Sequence, residues 1–247
     1  MSDLFQSAVV TGAGRGFGRA ISAALVTSGI RVIGIARSHQ ELRAVQAELG
    51  AGFTPIAADA TSEALAGDVL REHRPHLLVL NAGLTPHMAP VQEQTWETFS
   101  RHWHTDTRHV FTWTRAALLE PLAAGSVVIS MSSGAALGGS PLSGGYASAK
   151  ASIRYLRQYA EQEAQRAGLD IRFHTLLPDM TPAGGVGLVA ADGYAARQGM
   201  DRETFVAGRE QPVLTAEQVA KSVIAVAQDP ESDAEYRVRG AGLRPVG

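Results

Sequence analysis

The sequence contains no cysteine, which excludes disulfides, zinc–thiolate sites, iron–sulfur clusters and cysteine nucleophiles. Its apolar runs are short, and Leu77–Leu80 is far below the roughly 20 residues that span a bilayer. Met1–Gln6 lacks the basic start and apolar stretch of a signal peptide. Neither charge sign is in excess: 22 Lys and Arg face 24 Asp and Glu, which argues against a broad phosphate-binding surface. We therefore expect a soluble, cytoplasmic protein that binds neither nucleic acid nor membrane.

The sequence contains enough apolar residues for a folded core, since 45% of the 247 residues are hydrophobic. This length predicts a single domain over residues 1–247. Short apolar runs alternate with segments of helical periodicity, which predicts an α/β fold with a doubly wound parallel sheet. The predicted strands are Ala8–Thr11, Arg31–Ala36, Phe53–Ala58, Leu77–Asn81, Ser126–Met131, Ile171–Leu176 and Tyr236–Val238. The predicted helices lie near 17–28, 39–49, 62–73, 95–120, 146–167 and 215–228. Residues 181–211 break this rhythm and are predicted to form a substrate lid with some helix of its own.

The first predicted strand is followed by a glycine-rich turn, Thr11–Gly18, that opens directly into a helix. Its glycines allow backbone amides to approach a phosphate, and the helix N-terminus adds unpaired N–H groups. The pattern is T-G-x-x-x-G-x-G and not G-x-G-x-x-G, because Phe17 takes the sixth position counted from Gly12. A connection without a ligand is the alternative, but the place of the turn in the first βαβ unit favours a nucleotide site.

The end of the second predicted strand bears on which dinucleotide would bind. NAD enzymes usually place an acid about 20 residues beyond the turn, on the ribose 2′-hydroxyl. Here Ala36 takes that place and Arg37 follows it. A guanidinium pairs well with a 2′-phosphate, and Arg15 in the first turn could approach from the other side. Either arginine alone is an ordinary surface charge, but together, with the acid missing, they favour NADP(H) over NAD(H).

A tyrosine and a lysine, Tyr146 and Lys150, are four residues apart at the start of a predicted helix and therefore share one face. A free phenol ionises about three units above neutral pH, a gap of about 4 kcal/mol. A cation about 4 Å away, at an effective dielectric near 20, supplies about that much. The pair can therefore form an acid/base, although an arbitrary Y-x-x-x-K is more often a packed tyrosine with a solvated lysine. Position 147 is Ala, so the S-x-x-K pattern of serine β-lactamases is missing.

Taken in chain order, the motifs resemble the short-chain dehydrogenase/reductase family. They are the glycine-rich turn, Asn81-Ala82-Gly83 after the fourth strand, and the set of Ser133, Tyr146 and Lys150. Tyr146 follows Ser133 by 13 residues, which matches the serine–tyrosine spacing of the family and selects Ser133 over Ser132. The resemblance covers nearly the whole chain, and the ordered set is far more specific than any one motif.

The resemblance implies a Rossmann-like sheet between two layers of helices, in one domain, and a role for each matching residue. Tyr146 would be the general acid/base, Lys150 would stabilise its phenolate and hold the nicotinamide ribose, and Ser133 would bind the substrate carbonyl. Asp59 and Ala60 would contact the adenine. The full set of implied cofactor-binding residues is Gly12, Arg15, Gly16, Phe17, Gly18, Arg37, Ser38, Asp59, Ala60, Asn81, Ala82, Gly83, Tyr146, Lys150, Pro178 and Thr181.

Two positions depart from the pattern of the family. The family usually has an Asn in its long fourth helix, holding a water that feeds protons to the lysine, and alignment on Phe99 puts Asp106 there. Our hypothesis is that Asp106 acts as a catalytic residue in this relay and makes activity more pH-dependent; the alternative is a solvated Asp. After the sixth strand, the usual Pro-Gly is Pro178-Asp179, with Thr181 closer than usual. Asp tolerates left-handed backbone, so the turn can survive and bring a carboxylate near the nicotinamide or the substrate.

The fourth predicted helix also carries three histidines and an apolar stripe. His102, His104 and His109 lack the H-E-x-x-H arrangement, so we expect surface or interface histidines and no metal site. The stripe predicts core burial or subunit contact. In the family this helix pairs with a neighbouring subunit, so the resemblance implies a homodimer or homotetramer. The stripe consists of Phe99, Trp103, Val110, Phe111, Thr114 and Leu118.

The sequence thus predicts an NADP(H)-dependent oxidoreductase of the ketoreductase type, acting between a carbonyl and a secondary alcohol of a small-molecule substrate. Two alternatives stay open. One is an enzyme of this fold that uses bound NADP(H) for isomerisation, dehydration or cyclisation without net redox. The other is a non-catalytic dinucleotide-binding protein, against which the presence of Ser133, Tyr146 and Lys150 argues.

Overall fold

The computed structural model describes residues 6–209 and 211–246. The segment in which no signal peptide is predicted therefore lies outside the described residues except for Gln6, as does Glu210 of the predicted lid. The described chain contains one eight-stranded sheet with the strand order β3-β2-β1-β4-β5-β6-β7-β8. The strands are β1 (Ser7–Thr11), β2 (Arg31–Ala36), β3 (Phe53–Ala57), β4 (Leu77–Leu80), β5 (Ser126–Met131), β6 (Ile171–Pro178), β7 (Glu235–Arg239) and β8 (Gly242–Pro245).

The first seven strands are parallel. The order of the strands reverses between β1 and β4, because β2 and β3 lie on one side of β1 and the strands from β4 onward lie on the other. Strands β4 and β5 are buried along their whole length, as their continuous apolar sequences predict for strands covered on both faces. The last strand, β8, pairs antiparallel with β7 and was not predicted. Its sequence, Gly-Leu-Arg-Pro, lacks the apolar alternation that marks a strand.

Helices cover both faces of the sheet, which confirms the predicted three-layer α/β/α fold. The helices are α1 (Gly16–Thr27), α2 (His39–Leu49), α3 (Glu63–His73), α4 (Trp96–His102), α5 (Arg108–Leu119), α6 (Ala135–Gly138), α7 (Gly144–Arg166), α8 (Gly185–Arg197), α9 (Arg202–Ala207) and α10 (Ala216–Gln228). Apolar residues of α1, α2 and α10 pack on one face, and those of α3, α5 and α7 pack on the other. Ser38, Ser62 and Thr95 accept backbone N–H bonds at the starts of α2, α3 and α4.

The predicted helix near 95–120 is not one regular helix. A π-helical turn, Trp103–Thr107, joins α4 to α5. Such turns widen the helix by one residue and are frequent at functional sites. Here the turn contains Asp106, one of the two positions at which the sequence departs from the family pattern.

The segment 181–211, predicted to be a lid, contains α8 and α9. Ala191, Ala195 and Phe205 form a small apolar cluster of their own, separate from the two clusters on the sheet. Among the described residues, no helix combines the length and apolar character needed to cross a membrane.

Candidate active site

The candidate site lies where the central parallel strands end. Residues that follow β1, β4, β5 and β6 meet at one edge of the sheet because these strands run in the same direction. In doubly wound sheets, ligands bind outside the carboxyl ends of the strands at the point where strand order reverses. Here that point is between β1 and β4, and the residues there are Gly12 and Asn81.

Thr11 and Asn81 connect the ends of β1 and β4. The Thr11 hydroxyl accepts the N–H groups of Asn81 at 2.9 Å and Ala82 at 3.1 Å, and the Asn81 side-chain amide donates to the Thr11 carbonyl at 3.0 Å. A Cβ at Gly12, whose φ is 68°, would lie 2.9 Å from Ala82 Cα, and one at Gly18 would lie 2.1 Å from the Gly12 carbonyl oxygen. The turn is so tight that neither position has room for a side chain, and glycine is required at both.

The start of α1 fits a phosphate group. Arg15 precedes the helix without a side-chain cap, and its first turn contains no acidic residue. A Cβ at Gly16 would meet nothing within 4 Å, so the space outside this helix start is open. Phe17 packs against the core. An uncapped helix start beside a tight glycine turn has the N–H donors that a dinucleotide pyrophosphate requires.

The region beyond the first turn carries opposing charges. Arg15 and Arg37 are both exposed, and Ser38 accepts the Glu41 N–H at 3.2 Å to cap α2. The Glu41 carboxylate lies over Gly14: its Oε2 is 2.8 Å from where a Cβ on that glycine would be. Sequence analysis missed this acid, although the Ser38-x-x-Glu41 spacing is that of a capping box, which turns a side chain back toward the helix start.

The two predicted adenine contacts, Asp59 and Ala60, have partners within the chain. Asp59 accepts both the N–H and the hydroxyl of Thr61 at 2.9 Å. The Thr61 N–H, aided by the Thr61 hydroxyl and the charge of Arg37, holds the pKa of Asp59 below its usual value against partial burial. The Ala60 carbonyl accepts the Trp113 indole N–H at 2.8 Å.

Two adjacent serines follow β5 and differ in what they contact. The buried Ser132 hydroxyl donates to the Lys150 backbone carbonyl at 2.7 Å. The half-buried Ser133 accepts the Ala135 N–H at 3.2 Å, which leaves its hydroxyl proton for another partner. The Ser132 hydroxyl proton is thus used within the chain, and the choice of Ser133 from its spacing to Tyr146 stays a prediction.

Tyr146 and Lys150 lie on one face of α7, in its first two turns. Lys150 is 5% exposed; its Nζ donates to the Met131 carbonyl at 3.1 Å and lies 5.7 Å from the centroid of the Tyr146 ring. Helix α4 approaches this turn closely, since a Cβ at Gly145 would lie 2.1 Å from the Phe99 carbonyl oxygen. Glycine at 145 therefore allows α4 and the π-helical turn to reach the tyrosine–lysine pair.

Asp106 is fully buried beside Lys150, so the alternative of a solvated Asp106 is wrong. Its Oδ2 is 3.3 Å from Lys150 Nζ, and its Oδ1 accepts the Leu84 N–H at 3.0 Å. Burial raises the pKa of Asp106, but Lys150, His102 and the Leu84 N–H outweigh it, and the net pKa lies below the usual value. A carboxylate is therefore ionised at neutral pH next to the candidate catalytic lysine.

The histidines differ from expectation. His104 is exposed, as predicted, but His102 and His109 are buried, at 2% and 0% exposure, so their assignment to the surface was wrong for this chain. Burial and then the charge of Lys150 lower the pKa of His109 to about 3, so this ring is neutral at physiological pH. Among the described residues, no group of three or more His, Asp or Glu is arranged to hold a metal.

Asp179 is held by arginines of β7. Arg237 binds its carboxylate with two N–H groups, at 2.7 and 3.1 Å, and Arg239 lies 3.8 Å away. Asp179 is not among the described residues with positive φ, so the chain turns after Pro178 without left-handed backbone. Its Oδ1 lies 2.8 Å from where a Cβ on Gly134 would be, so the ion pair packs against the residue that follows Ser133.

The segment after β6 packs close to the site. Thr181 is half-buried, and its carbonyl oxygen lies 2.2 Å from where a Cβ on Gly187 would be, so α8 starts against it. The Tyr194 hydroxyl of α8 is hydrogen-bonded to Ser140, and its ring stacks on Phe205 with centroids 6.2 Å apart. The role of this segment as a lid stays a prediction. A cleft of about 520 Å³ in this segment contains none of the predicted catalytic residues and is lined by Pro182, Ala183, Asp201, Arg202, Glu203 and Val206.

Comparison with known proteins gives a family match. The model of the family described as short chain dehydrogenase matches residues 6–192. A sorbitol dehydrogenase of Cereibacter sphaeroides is 31% identical over 173 residues, 67% of each chain. An NADPH-dependent pterin aldehyde reductase of Arabidopsis thaliana is 28% identical over 64% of this chain and 69% of its own length. A serine 3-dehydrogenase of Rhizobium radiobacter is 40% identical, but over only 36% of this chain and 39% of that protein.

Solved structures share the fold. The crystal structure of levodione reductase superposes with a TM-score of 0.81, covering 96% of both chains at 21% sequence identity. At this identity the likeness concerns architecture alone, and it agrees with the doubly wound sheet described above.

Proposed function

The chain belongs to the short-chain dehydrogenase family, and from this premise we propose that it is an NADP(H)-dependent oxidoreductase that interconverts a carbonyl and a secondary alcohol. When bound, NADP(H) supplies or accepts the hydride. The protein would bind it, orient the substrate and move one proton. The observation that carries the proposal is the pairing of Tyr146 with a buried Lys150, whose Nζ lies 5.7 Å from the centroid of the tyrosine ring and donates to the Met131 carbonyl at the end of β5, the strand that Ser133 follows.

In the reducing direction, the Tyr146 hydroxyl protonates the developing alkoxide while Ser133 donates a hydrogen bond to the same oxygen. Ser133 is suited to this because its hydroxyl proton is not used by Ala135, whose N–H it accepts. Lys150, fixed by the Met131 carbonyl, stabilises the phenolate that remains. These three residues and Asp106 are the catalytic residues that we propose.

The preference for NADP(H) is supported by chemistry and by a relative. Gly12, Gly16 and Gly18 at the start of α1 would hold the pyrophosphate. The exposed guanidinium groups of Arg15 and Arg37 would hold the 2′-phosphate. A pterin aldehyde reductase similar to this chain is named as NADPH-dependent. The other residues that we propose to contact the dinucleotide are Phe17, Ser38, Asp59, Ala60, Asn81, Ala82, Gly83, Pro178 and Thr181.

We propose that Asp106 replaces the usual asparagine in the proton relay. Its ionised carboxylate, 3.3 Å from Lys150 Nζ, neutralises part of the field that the ammonium exerts on the Tyr146 phenolate. In the direction that needs phenolate, we expect the rate to rise at higher pH than it would with a neutral residue at position 106. This is the pH sensitivity that the hypothesis from the sequence requires.

A panel of ketones and aldehydes, with NADPH oxidation followed by absorbance, tests the redox proposal. Tyr146→Phe should lower kcat by about a thousandfold and leave the NADPH Kd within about twofold. Tyr236→Phe is the matched control, because the Tyr236 hydroxyl accepts the Asp233 N–H at the amino end of β7, the end of the sheet opposite the candidate site. Equal activity of Tyr146→Phe and the wild-type enzyme would disprove the assignment.

A non-redox reaction with bound NADP(H) is the second candidate, and the Asp106–Lys150 ion pair favours it, because it weakens the ammonium that stabilises the phenolate. Mass spectrometry of a metabolite mixture, incubated with the NADP-loaded protein, distinguishes the two. Product formation with no net oxidation or reduction of the cofactor would support isomerisation, dehydration or cyclisation.

We also propose that the protein is a homodimer or homotetramer. Large apolar side chains of α4, α5 and α7 and of the π-helical turn are exposed in the single chain, as expected for a surface that a second copy covers. They are Trp96, Trp103, Phe111, Tyr155 and Tyr159. Light scattering that gives a monomer mass at micromolar concentration would contradict this.

A further inference from the structure

A second titratable side chain is buried beside the candidate catalytic groups, and the mechanism above does not use it. His102, the last residue of α4, is 2% exposed. Its Nδ1 lies 3.5 Å from Asp106 Oδ1, beyond ordinary hydrogen-bond length, and neither ring nitrogen has another hydrogen-bond partner in the described residues. Burying an unsatisfied imidazole costs free energy, so the contact with the carboxylate is its main polar compensation.

The ring of His102 also contacts the tyrosine. It meets the Tyr146 ring edge-on, with centroids 5.3 Å apart and an interplanar angle of 80°. His102 and Asp106 are four residues apart across the start of the π-helical turn, so one stretch of chain presents both to α7. His102 therefore packs in a T-shaped pair with the ring of the proposed general acid/base and faces the Asp106 carboxylate with Nδ1.

The charged surroundings of this pair are few. From α7 it is faced by Lys150, 3.3 Å from Asp106, and by Tyr146. From α5 the nearby titratable group is His109, which is neutral at physiological pH. Among the described residues, the loop after β4 contributes the Leu84 N–H, which donates to Asp106 Oδ1. The carboxylate is thus held by three groups: an N–H, an ammonium and, more loosely, an imidazole.

We propose that His102 is a positioning residue of the reaction, which keeps the Asp106 carboxylate turned toward Lys150 and the Tyr146 ring in place. The Nδ1–H tautomer donates toward Oδ1, so the Leu84 N–H and His102 hold one oxygen and leave Oδ2 to the ammonium. Without His102, the carboxylate can rotate, and Lys150 loses a fixed partner. The proposal rests on the proposed oxidoreductase function and extends it to a residue outside the serine–tyrosine–lysine set.

The test compares three variants of the full-length protein. His102→Leu removes the donor and should lower kcat by about tenfold, with the NADPH Kd within about twofold. His102→Asn retains a donor near the position of Nδ1 and should recover kcat to within about threefold of wild type. His104→Leu is the matched control: an exposed histidine two residues away, whose replacement should change neither constant.

A double-mutant cycle separates positioning from packing. If His102 acts through Asp106, His102→Leu should lower kcat by less than about twofold in an Asp106→Asn background. A full tenfold loss in that background, or equal losses in His102→Leu and His102→Asn, would overturn the proposal and leave only a packing role. So would wild-type kcat in His102→Leu. A wild-type protein that binds NADPH but reduces no carbonyl compound would instead overturn the proposed function itself.

Discussion

Replacement of Asp106 by asparagine removes one negative charge from the centre of the site and changes little else. Asn has nearly the same shape, and its side-chain oxygen can still accept the Leu84 N–H. What disappears is the attraction to Lys150 Nζ at 3.3 Å, about 5 kcal/mol at an effective dielectric near 20. Lys150 keeps its bond to the Met131 carbonyl, so we expect the low end of the cost of breaking a buried pair, about 3 kcal/mol of unfolding free energy.

The pH dependence of this difference follows from the lowered pKa of Asp106 in the folded chain. A carboxyl with a depressed folded pKa stabilises the fold fully above its ordinary pKa, and this stabilisation is lost as pH falls through the folded value. The gap between wild type and Asp106→Asn should therefore be constant from about pH 8 to 5 and should shrink below about pH 4.

Urea unfolding of both proteins across this pH range measures the gap. Glu48→Gln is a suitable control, because it breaks an ion pair between Glu48 and Arg19 in which each side chain is about half exposed. It should lower the free energy of unfolding by less than about 1 kcal/mol. If Asp106→Asn were as stable as wild type at pH 7, or if the gap stayed unchanged down to pH 3, the ion pair would not exist as described.

Three further predictions concern the cofactor region, the helix contact and the buried histidine. Arg37→Ala should raise the Kd for NADPH about tenfold in fluorescence titrations and leave that for NADH within about twofold; equal losses would remove its assignment to the 2′-phosphate. In urea unfolding, Gly145→Ala should lower the free energy of unfolding by about 2 kcal/mol, because the new Cβ would lie 2.1 Å from the Phe99 carbonyl oxygen. Gly138→Ala is the control and should leave the free energy of unfolding nearly unchanged, because a Cβ there would meet nothing within 4 Å. The His109 ring, with a pKa of about 3, should show no titration by NMR between pH 8 and 5, and a midpoint above pH 5 would contradict its burial.

The strands were predictable because burial on both faces leaves a continuous apolar run in the sequence. All seven predicted strands are present, with ends within two residues of the prediction. The glycine-rich turn was predictable for a related reason. Its tight backbone leaves no room for a side chain at Gly12 and Gly18, so glycine is required at both positions and the sequence pattern shows it. Strand β8 was missed because only pairing with β7, not its own composition, makes it a strand.

The surroundings of Lys150 were less predictable. A π-helical turn shifts the hydrogen bonding by one residue without changing the apolar stripe, so periodicity alone indicates one continuous helix over 95–120. His102, directly before this turn, and Asp106, within it, are both buried. The Ser38-x-x-Glu41 spacing indicates a side chain that turns back toward the start of α2, but it does not specify that the Glu41 carboxylate lies over Gly14 of the preceding turn.

The two departures from the family pattern have different consequences. Asp179 carries a charge, but Arg237 binds it with two hydrogen bonds and Arg239 is nearby, so its field at the site is largely neutralised and its role is to join β6 to β7. Among the described residues, Lys150 is the only lysine or arginine within ion-pair distance of Asp106, and it is also the ammonium that we propose stabilises the Tyr146 phenolate. A single ammonium cannot fully stabilise two anions, so we expect any change in proton chemistry relative to the family to originate at Asp106 and the groups that orient it.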